Sequence, residues 1–444
     1  MFRKVLIADR GEIAVRIIRS LKELGINTVA VYSVADQHSL HVRLADEALC
    51  IGPAGIRDSY LNFSAILSAA SITGADAIHP GYCPLAENLE FVESCKDMGV
   101  TFIGTGIDSM SLMADKVAAK KAAVAAGVEV APGSVEAIKD AREALSVADS
   151  LGFPVILKAV GGGGGRGVKV VTDRGSFASA FEQSTKEAQS YLKNPGIYVE
   201  KYLEKARHIE FQIVADNSGE TIHLGERDCT IQRRYQKIIE ESPSFGITDR
   251  KRDEMGRAAV RFARSVGYSN IGTVEFLLTE DQRFFFLEMN TRIQVEHGVT
   301  EMVTGIDVVK EQVRLAAGEP LSISQEDIVI SGHSIECRIT AEDPFRFTPS
   351  SGTVSQYIPS GGPGVRVDSA IYCGSHVNPH YDSLVAKLIV CSTDRKAAIG
   401  RMKRALSEFV IEGIETTIPL CRKIMADPVF VRGYKDSSFL EKYI

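Results

Sequence analysis

The chain has 444 residues, a formal net charge of −6 and an ordinary composition of 45% hydrophobic, 24% charged and 7% aromatic residues. That length exceeds what one core fills, so two or three packed units are expected. The acidic balance supplies no field for nucleic acid, and no apolar stretch is long enough to span a bilayer, so neither partner is expected. The eight cysteines (Cys50, Cys83, Cys95, Cys229, Cys337, Cys373, Cys391 and Cys421) form no C-x-x-C pair, which leaves a zinc or dithiol site unsupported. Reduced thiols in the cytoplasm, or an equivalent compartment, are the expectation.

The first apolar run, Val5-Leu6-Ile7-Ala8, is cut off by Asp9 and reads as a strand, not a signal peptide. Lys4–Ala8 is then a strand, Gly11–Leu24 an amphipathic helix, Thr28–Tyr32 a second strand, and Ala77–His79 and Thr101–Ile103 later ones. The alternation predicts a parallel sheet wrapped by helices. The first turn, Asp9-Arg10-Gly11-Glu12, has a single glycine, so this unit is Rossmann-like without the dinucleotide signature. A helix follows over Ser111–Ala126, carrying Asp115 and Lys116, and Pro132-Gly133 marks a break. A small α/β unit extends to about Leu203, and the remainder reads as hairpins with interspersed helices. Examples are Ile209–Val214 with Thr221–Leu224, Thr273–Leu278 with Arg283–Met289, and the helical patterns Arg395–Phe409 and Thr417–Met425.

Chemistry is concentrated in a few places. Strand Val155–Val160 and strand Val168–Val171 flank Gly161–Gly165, Arg166 and Gly167. Glycines let the backbone approach phosphate oxygens, with Lys158 and Arg166 on either side to neutralise charge; the competing reading is a flexible linker. This is not a Walker A loop. In the hairpin Thr273–Asn290, Glu275 and Glu288 are placed equidistant from the turn, so a regular register opposes them. Opposed Cβ atoms lie roughly 4.5–5.5 Å apart and like charges there repel. A raised carboxyl pKa or a divalent cation offsets the repulsion, and Asn290 adds an oxygen suited to Mg²⁺ or Mn²⁺. Glu288, Asn290, Arg292, Gln294 and Glu296 then recur at period two, which puts all five on one face if the segment stays extended. Taken by themselves, Glu226–Lys237 reads as a solvated charge run and His208 as a structural histidine.

Together these segments resemble the biotin carboxylase family of ATP-grasp enzymes. The resemblance rests on Ala8–Glu12, Ala77–Tyr82, Lys158–Gly167, Glu200–Leu203, Glu226–Lys237, Glu288–His297 and Glu336-Cys337-Arg338, in that order along the chain. It implies an α/β and α+β chain of three parts. These are a Rossmann-like N-terminal domain (1–113), an ATP-grasp domain (114–334) whose glycine-rich lid covers about 131–203, and a C-terminal biotin carboxylase domain (335–444).

It also implies roles. Lys116, Lys158, Gly164, Gly165 and His208 contact ATP; Glu200, Lys201, Tyr202 and Leu203 hold adenine, with Tyr235 near the nucleotide. Glu275, Glu288 and Asn290 bind the metals, and Lys237, Arg292, Gln294 and Val295 hold bicarbonate. Glu296 is the general base and Arg338 stabilises the biotin enolate. The implied reaction carboxylates biotin through carboxyphosphate, as the first half-reaction of acetyl-CoA carboxylase or another acyl-CoA or pyruvate carboxylase. The alternatives are another ATP-grasp ligase and a nucleotide-binding scaffold. With no Met-Lys-Met biotinylation segment in the sequence, biotin is expected on a separate carrier protein, with carboxyltransferase subunits as further partners. Family members pair as homodimers, with Arg19, Glu23 and Arg366 at matching positions. The chain departs from the family pattern at Asp9, Cys83-Pro84, Tyr235 and Gly298.

Overall fold

Strands β1 (Lys4–Ile7), β2 (Asn27–Ser33), β3 (Glu47–Gly52), β4 (Ala77–His79) and β5 (Thr101–Phe102) form a parallel sheet in the order β3-β2-β1-β4-β5. The computed structural model describes residues 1–134, 136–159, 167–191, 196–433 and 436–443. Val5, Leu6 and Ile7 are wholly buried, because a parallel strand covered on both faces needs an apolar run and not an alternation. The helix Gly11–Glu23 lays Ile13, Ala14, Ile17, Ile18 and Leu21 against β1, positions that recur at helical spacing. The strand β3 has no counterpart in the sequence reading. It lies at the sheet edge, and of its apolar run Ala48-Leu49-Cys50-Ile51 only Ile51 is buried.

The expected helix over Ser111–Ala126 is instead two helices, Ile107–Ala114 and Lys116–Ala125. Asp115 separates them in an extended conformation, and its carboxylate accepts the N–H groups of Val117 and Ala118 at 2.8 and 3.1 Å. An aspartate that caps so well starts a helix and does not sit inside one.

The second unit has its own small sheet. Strands β6 (Val155–Ala159), β7 (Val168–Val171) and β8 (Ile197–Lys201) pair in the order β7-β6-β8. The helices Ala141–Leu151 and Arg174–Tyr191 cover it, and Val155, Leu157, Phe177, Phe181 and Val199 make a separate core. The glycine-rich tip, including Gly164, Gly165 and Arg166, lies outside the described residues.

The remaining large element is one antiparallel sheet of eight strands. It contains β9 (Arg207–Ala215), β10 (Thr221–Arg233), β11 (Gln236–Ser242), β12 (Asn270–Leu278), β13 (Phe284–Asn290) and β14 (His333–Thr340), ordered β13-β12-β9-β10-β11-β14. The strands Leu384–Ser392 and Val365–Ser369 extend it beyond β14. The sheet therefore passes without a break through residue 335, and one core joins Ile231 and Ile239 to Ile335, Leu388 and Met402. Another joins Val5 and Ile17 to Val214, Ile271 and Val308. Among the described residues, no helix is long and apolar enough to cross a membrane.

Because Asp115 caps the helix that begins at Lys116, Asp115→Ala is expected to destabilise the chain by about 1 kcal/mol. Asp115→Asn is expected to stay close to wild type, since Asn accepts the same N–H groups. Urea denaturation of the three proteins checks both.

Candidate active site

The centre of the site is a row of glutamates carried by adjacent strands. Glu275 on β12 is registered against Glu288 on β13 and against Glu210 on β9. The Glu275–Glu288 pairing expected from sequence is present, by a different route. The turn aligns Leu278 with Phe284, Leu277 with Phe285 and Phe276 with Phe286, a register that would oppose Glu275 to Leu287. A shift after Phe276 skips Leu287 and brings Glu288 opposite Glu275. Such a bulge re-aims a side chain at little cost in pairing.

The period-two row does not continue. The strand β13 ends at Asn290, and Glu296, with φ −79° and ψ 7°, introduces the helix His297–Thr304. The side chains converge because the chain folds over the sheet. Glu275 Oε1 accepts from Asn290 Nδ2 at 2.8 Å and from Gln294 Nε2 at 2.9 Å. Arg292 donates to Glu87 at 3.2 Å and lies 3.4 Å from Asn290 Oδ1.

The stretch Glu226–Lys237 is likewise no solvated charge run. Arg227 and Asp228 are fully buried in the middle of β10. Arg227 donates to Glu210 at 2.6 Å, Gln212 at 2.7 Å, Gln294 at 2.8 Å, Thr273 at 3.0 Å and Thr300 at 3.1 Å. Lys237, at the start of β11, reaches Glu210, Glu275 (3.1 Å) and Glu296. Glu296 also accepts from Arg338 on β14 at 2.9 Å, so its carboxylate bridges a lysine and an arginine. Arg338 bonds in addition to Glu240. Alternating charges in a low-dielectric setting polarise one another strongly. Burial pushes the Glu296 carboxyl up, but Lys237 and Arg338 outweigh Glu210 and hold it below the usual range. Glu296 is thus ionised and able to accept a proton.

His208 is not the isolated structural histidine that its surroundings in sequence suggested. Its Nε2 lies 3.2 Å from Glu210 and 3.3 Å from Glu275. Burial alone lowers its pKa, but Glu275 chiefly, with Glu210, raises it to about 9 despite Lys237.

The neighbouring lysines divide between two carboxylates. Glu200 on β8 pairs with Lys158 at 2.7 Å and with Lys120. Burial raises its carboxyl, but Lys158 and then Lys120 bring it down to about 2. Lys201 Nζ turns away to the carbonyls of Gly152 and Phe153, and Tyr202 N–H donates to Pro154 at 3.2 Å. Tyr235 sits in the turn between β10 and β11 with φ +66° and is 48% exposed. Val295 uses its carbonyl to accept from the buried Lys387 at 2.9 Å.

Glu288 is the least satisfied of the carboxylates in the Glu210–Glu275–Glu296 neighbourhood. Its one ion pair among the described residues is Lys116 Nζ at 4.0 Å, and 41% of its side chain remains accessible. Its enclosure and then the Glu275 charge push its carboxyl up. His208, Glu210 and Glu275 also bring ligand atoms within 4.8 Å of one another, but Lys237 and Arg227 already neutralise that group. The open oxygens therefore belong to Glu288, beside Glu275 and the Asn290 amide. Two carboxylates and an amide carbonyl fit a hard divalent cation.

Models of three consecutive regions match the chain: the biotin carboxylase N-terminal domain (residues 1–110), the ATP binding domain of the carbamoyl-phosphate synthase L chain (115–324), and the biotin carboxylase C-terminal domain (336–442). Biotin carboxylase 1 of Bacillus subtilis is 54% identical over 445 residues, covering 100% of this chain and 99% of that protein. The chain belongs to the biotin carboxylase family. It is a ligase with the mixed α/β, ATP-grasp architecture of that family. The biotin carboxylase of Campylobacter jejuni, solved as a β,γ-ATP complex, superposes with a TM-score of 0.98 at 45% identity over 100% of this chain and 99% of that one. The biotin carboxylase domain of the Hydrogenobacter thermophilus 2-oxoglutarate carboxylase, a dimer with MgADP, ADP and bicarbonate, gives 0.96 at 48% identity over 100% and 98%.

Several residues that organise this biotin carboxylase site escape a reading of the sequence: Arg227 as its hub, Glu210, Glu240, Glu87, Lys120 and Lys387. Glu210 stands two residues beyond His208 in a strand and so shares its face, which is a signal of the kind already used for Glu288 and Asn290. Lys120 and Lys387 have no such signal, because their partners are 80 and 92 residues away. Of the departures from the family pattern, Asp9 is explained. Its carboxylate accepts the N–H groups of Tyr82 (3.0 Å) and Cys83 (3.1 Å), and Gly81, at φ +61°, leaves no room for a Cβ beside it. An Asn oxygen there serves equally.

Truncating the hub leaves Glu210 short of a cation in the interior. Arg227→Met is expected to lose roughly 3–5 kcal/mol, measured by urea denaturation, and Arg227→Lys is not expected to restore it because a lysine cannot fork to five acceptors. The Glu200 clamp has a pH signature. Its folded value of about 2 lies below the ordinary 4.5, so its stabilisation is present above that range and is lost as pH falls toward 2. The thermal-midpoint gap between wild type and Glu200→Gln is expected to be constant from pH 7 to pH 5 and to narrow in more acid buffer.

Proposed function

We propose that this chain carboxylates biotin on a separate carrier protein, using ATP and bicarbonate, as the first half-reaction of an acetyl-CoA carboxylase. The observation that carries the reading is the Glu296 carboxylate held between Lys237 and Arg338, next to the Glu275–Glu288 pair. An ionised carboxylate flanked by fixed cations suits deprotonation of a small anion whose developing charge needs stabilising.

In this proposal bicarbonate lies against Lys237 and Arg292, with the Gln294–Val295 segment beside it. Gln294 commits its amide to Arg227 and Glu275 and so orients the carboxylates more than it grips the substrate. Glu296 takes the bicarbonate proton, and the oxygen attacks the γ-phosphorus of ATP, breaking the bond to ADP and forming carboxyphosphate. Lys116, Lys158 and His208 supply positive charge around the phosphates, with Gly164 and Gly165 as further contacts. Glu200, Lys201, Tyr202, Leu203 and Tyr235 border the adenosine. Glu275, Glu288 and Asn290 would hold Mg²⁺ or Mn²⁺, which when bound neutralises phosphate charge. Carboxyphosphate breaks down to CO₂ and phosphate, the phosphate takes the ureido proton of biotin, and Arg338 stabilises the resulting enolate as it attacks CO₂. The unit around β6–β8 has its own core and acts as a lid over a water-sensitive intermediate. The three-part division at 1–113, 114–334 and 335–444, a homodimer involving Arg19, Glu23 and Arg366, and a cytoplasmic location complete the proposal.

A second reading of the acceptor has a specific basis, since a relative of high similarity is the biotin carboxylase domain of a 2-oxoglutarate carboxylase. Isolating the native complex and identifying its carboxyltransferase decides between acetyl-CoA and a 2-oxo acid. For the half-reaction itself, Arg292→Ala is expected to lower kcat by roughly 10²–10³, read as bicarbonate- and biotin-dependent ADP release. Turnover within a few-fold of wild type removes Arg292 from the mechanism.

A further inference from the structure

One cluster of buried acids has no part in the reaction as derived. Glu240 on β11 is paired in register with Glu336 on β14, and neither has any exposed surface. Glu336 and Arg338 stand two residues apart in β14 and so share a face of the sheet. Glu240 Oε1 accepts from Arg338, but Glu240 Oε2 and both oxygens of Glu336 have no hydrogen-bond partner among the described residues. The charged and titratable groups around the pair are Lys237 on β11, Arg338 and Cys337 on β14, Cys229 on β10, Glu296 before its helix, and Lys387 on the strand Leu384–Ser392. Each cation among them is already committed. Lys237 serves Glu210, Glu275 and Glu296, Lys387 serves Glu12 and Val295, and Arg338 lies between Glu240 and Glu296. An ionised carboxylate with no partner is too costly to bury, and opposed carboxylates in one low-dielectric site do not both ionise. Burial and then the Glu240 charge drive the Glu336 carboxyl well above the usual range; burial likewise raises Glu240 to about 7, against Arg338.

We infer that Glu240 and Glu336 share one proton and form a positioning pair for Arg338, with Glu336 the neutral acid and Glu240 the anion that anchors the guanidinium. The inference rests on the reading of Arg338 as the group that meets biotin. Arg338 is held by two carboxylates, of which Glu296 is the one that takes up a proton in the reaction. When Glu296 is neutralised it loses its hold, and Glu240 keeps the guanidinium in place for the enolate. Loss of the shared proton at high pH leaves a second buried negative charge beside Arg338 and draws it back toward the sheet, so activity falls on the alkaline side.

Infrared difference spectroscopy and steady-state kinetics test this on the intact enzyme. Subtracting the Glu336→Gln spectrum from that of wild type at neutral pH is expected to leave the C=O stretch of a protonated carboxyl, which fades as the pH is raised. With free biotin as substrate, Glu336→Gln, whose amide imitates the neutral acid, is expected to keep near wild-type kcat and to lose the alkaline decline. Glu240→Gln is expected to lower kcat by about 10–100-fold with KM for ATP unchanged. A difference spectrum without the carboxyl band overturns the shared proton. A Glu336→Gln enzyme as impaired as Glu240→Gln, or one with the wild-type pH profile, overturns the positioning role. If Glu240→Gln does not fold, the spectrum and the Glu336→Gln profile decide alone. Absence of biotin-dependent turnover in wild type refutes the functional reading instead, and the infrared band still decides the pair.

Discussion

Everything in the site depends on keeping several carboxylates ionised inside the protein. Glu210, Glu275 and Glu296 converge on Lys237, Glu210 is held from its other side by Arg227, and Glu296 is shared with Arg338. Each ion taken alone would pay several kcal/mol to leave water. Interleaved, every acid has a base in contact and most lone pairs have a donor. Such a network tolerates little rearrangement, because moving one member strands its neighbours. That rigidity suits a site that must present fixed charge to a small anion and a polyphosphate.

The sheet makes the network possible. Glu288, Glu275, Glu210, Arg227, Lys237 and Arg338 come from six strands that are direct neighbours in the order β13-β12-β9-β10-β11-β14, with Lys237 bonded to acids on β9 and β12. Glu296 comes from outside the sheet, on the segment that leaves β13 and enters a helix. The unit around β6–β8 is tied to the helix Lys116–Ala125 through Glu200, which draws Lys120 and Lys158 together from a helix and a strand. The clusters around Glu200 and around Lys237 are thus both built by glutamate–lysine contacts between elements far apart in the chain.

Much of the fold was legible in sequence because local patterns and burial agreed. The runs Val5–Ile7 and Val29–Val31 are apolar throughout and fully buried. Reading failed where that agreement breaks. The edge strand Glu47–Gly52 buries only Ile51 of its four apolar residues, so pattern and burial do not coincide there. At Asp115 the helical apolar pattern continues across a residue whose side chain caps a new helix. In the Glu275–Glu288 hairpin the correct partners were named from an idealised register, although a skipped Leu287 is what aligns them. In Glu226–Lys237 the density of charge suggested solvent, whereas Arg227 is among the most deeply buried large side chains of the chain.

The sequence by itself determined most of the elements and the family, because those follow from short-range periodicity and from motifs contiguous in the chain. Tertiary structure alone decided which charges are paired, which are bare and which are shielded from water. Glu210, Glu275 and Glu288 look alike in sequence; one is locked to Arg227, one is saturated by Lys237 and His208, and one is left open beside Lys116. The difference comes from Coulomb interactions and desolvation that act over a few ångströms of space and dozens of residues of chain.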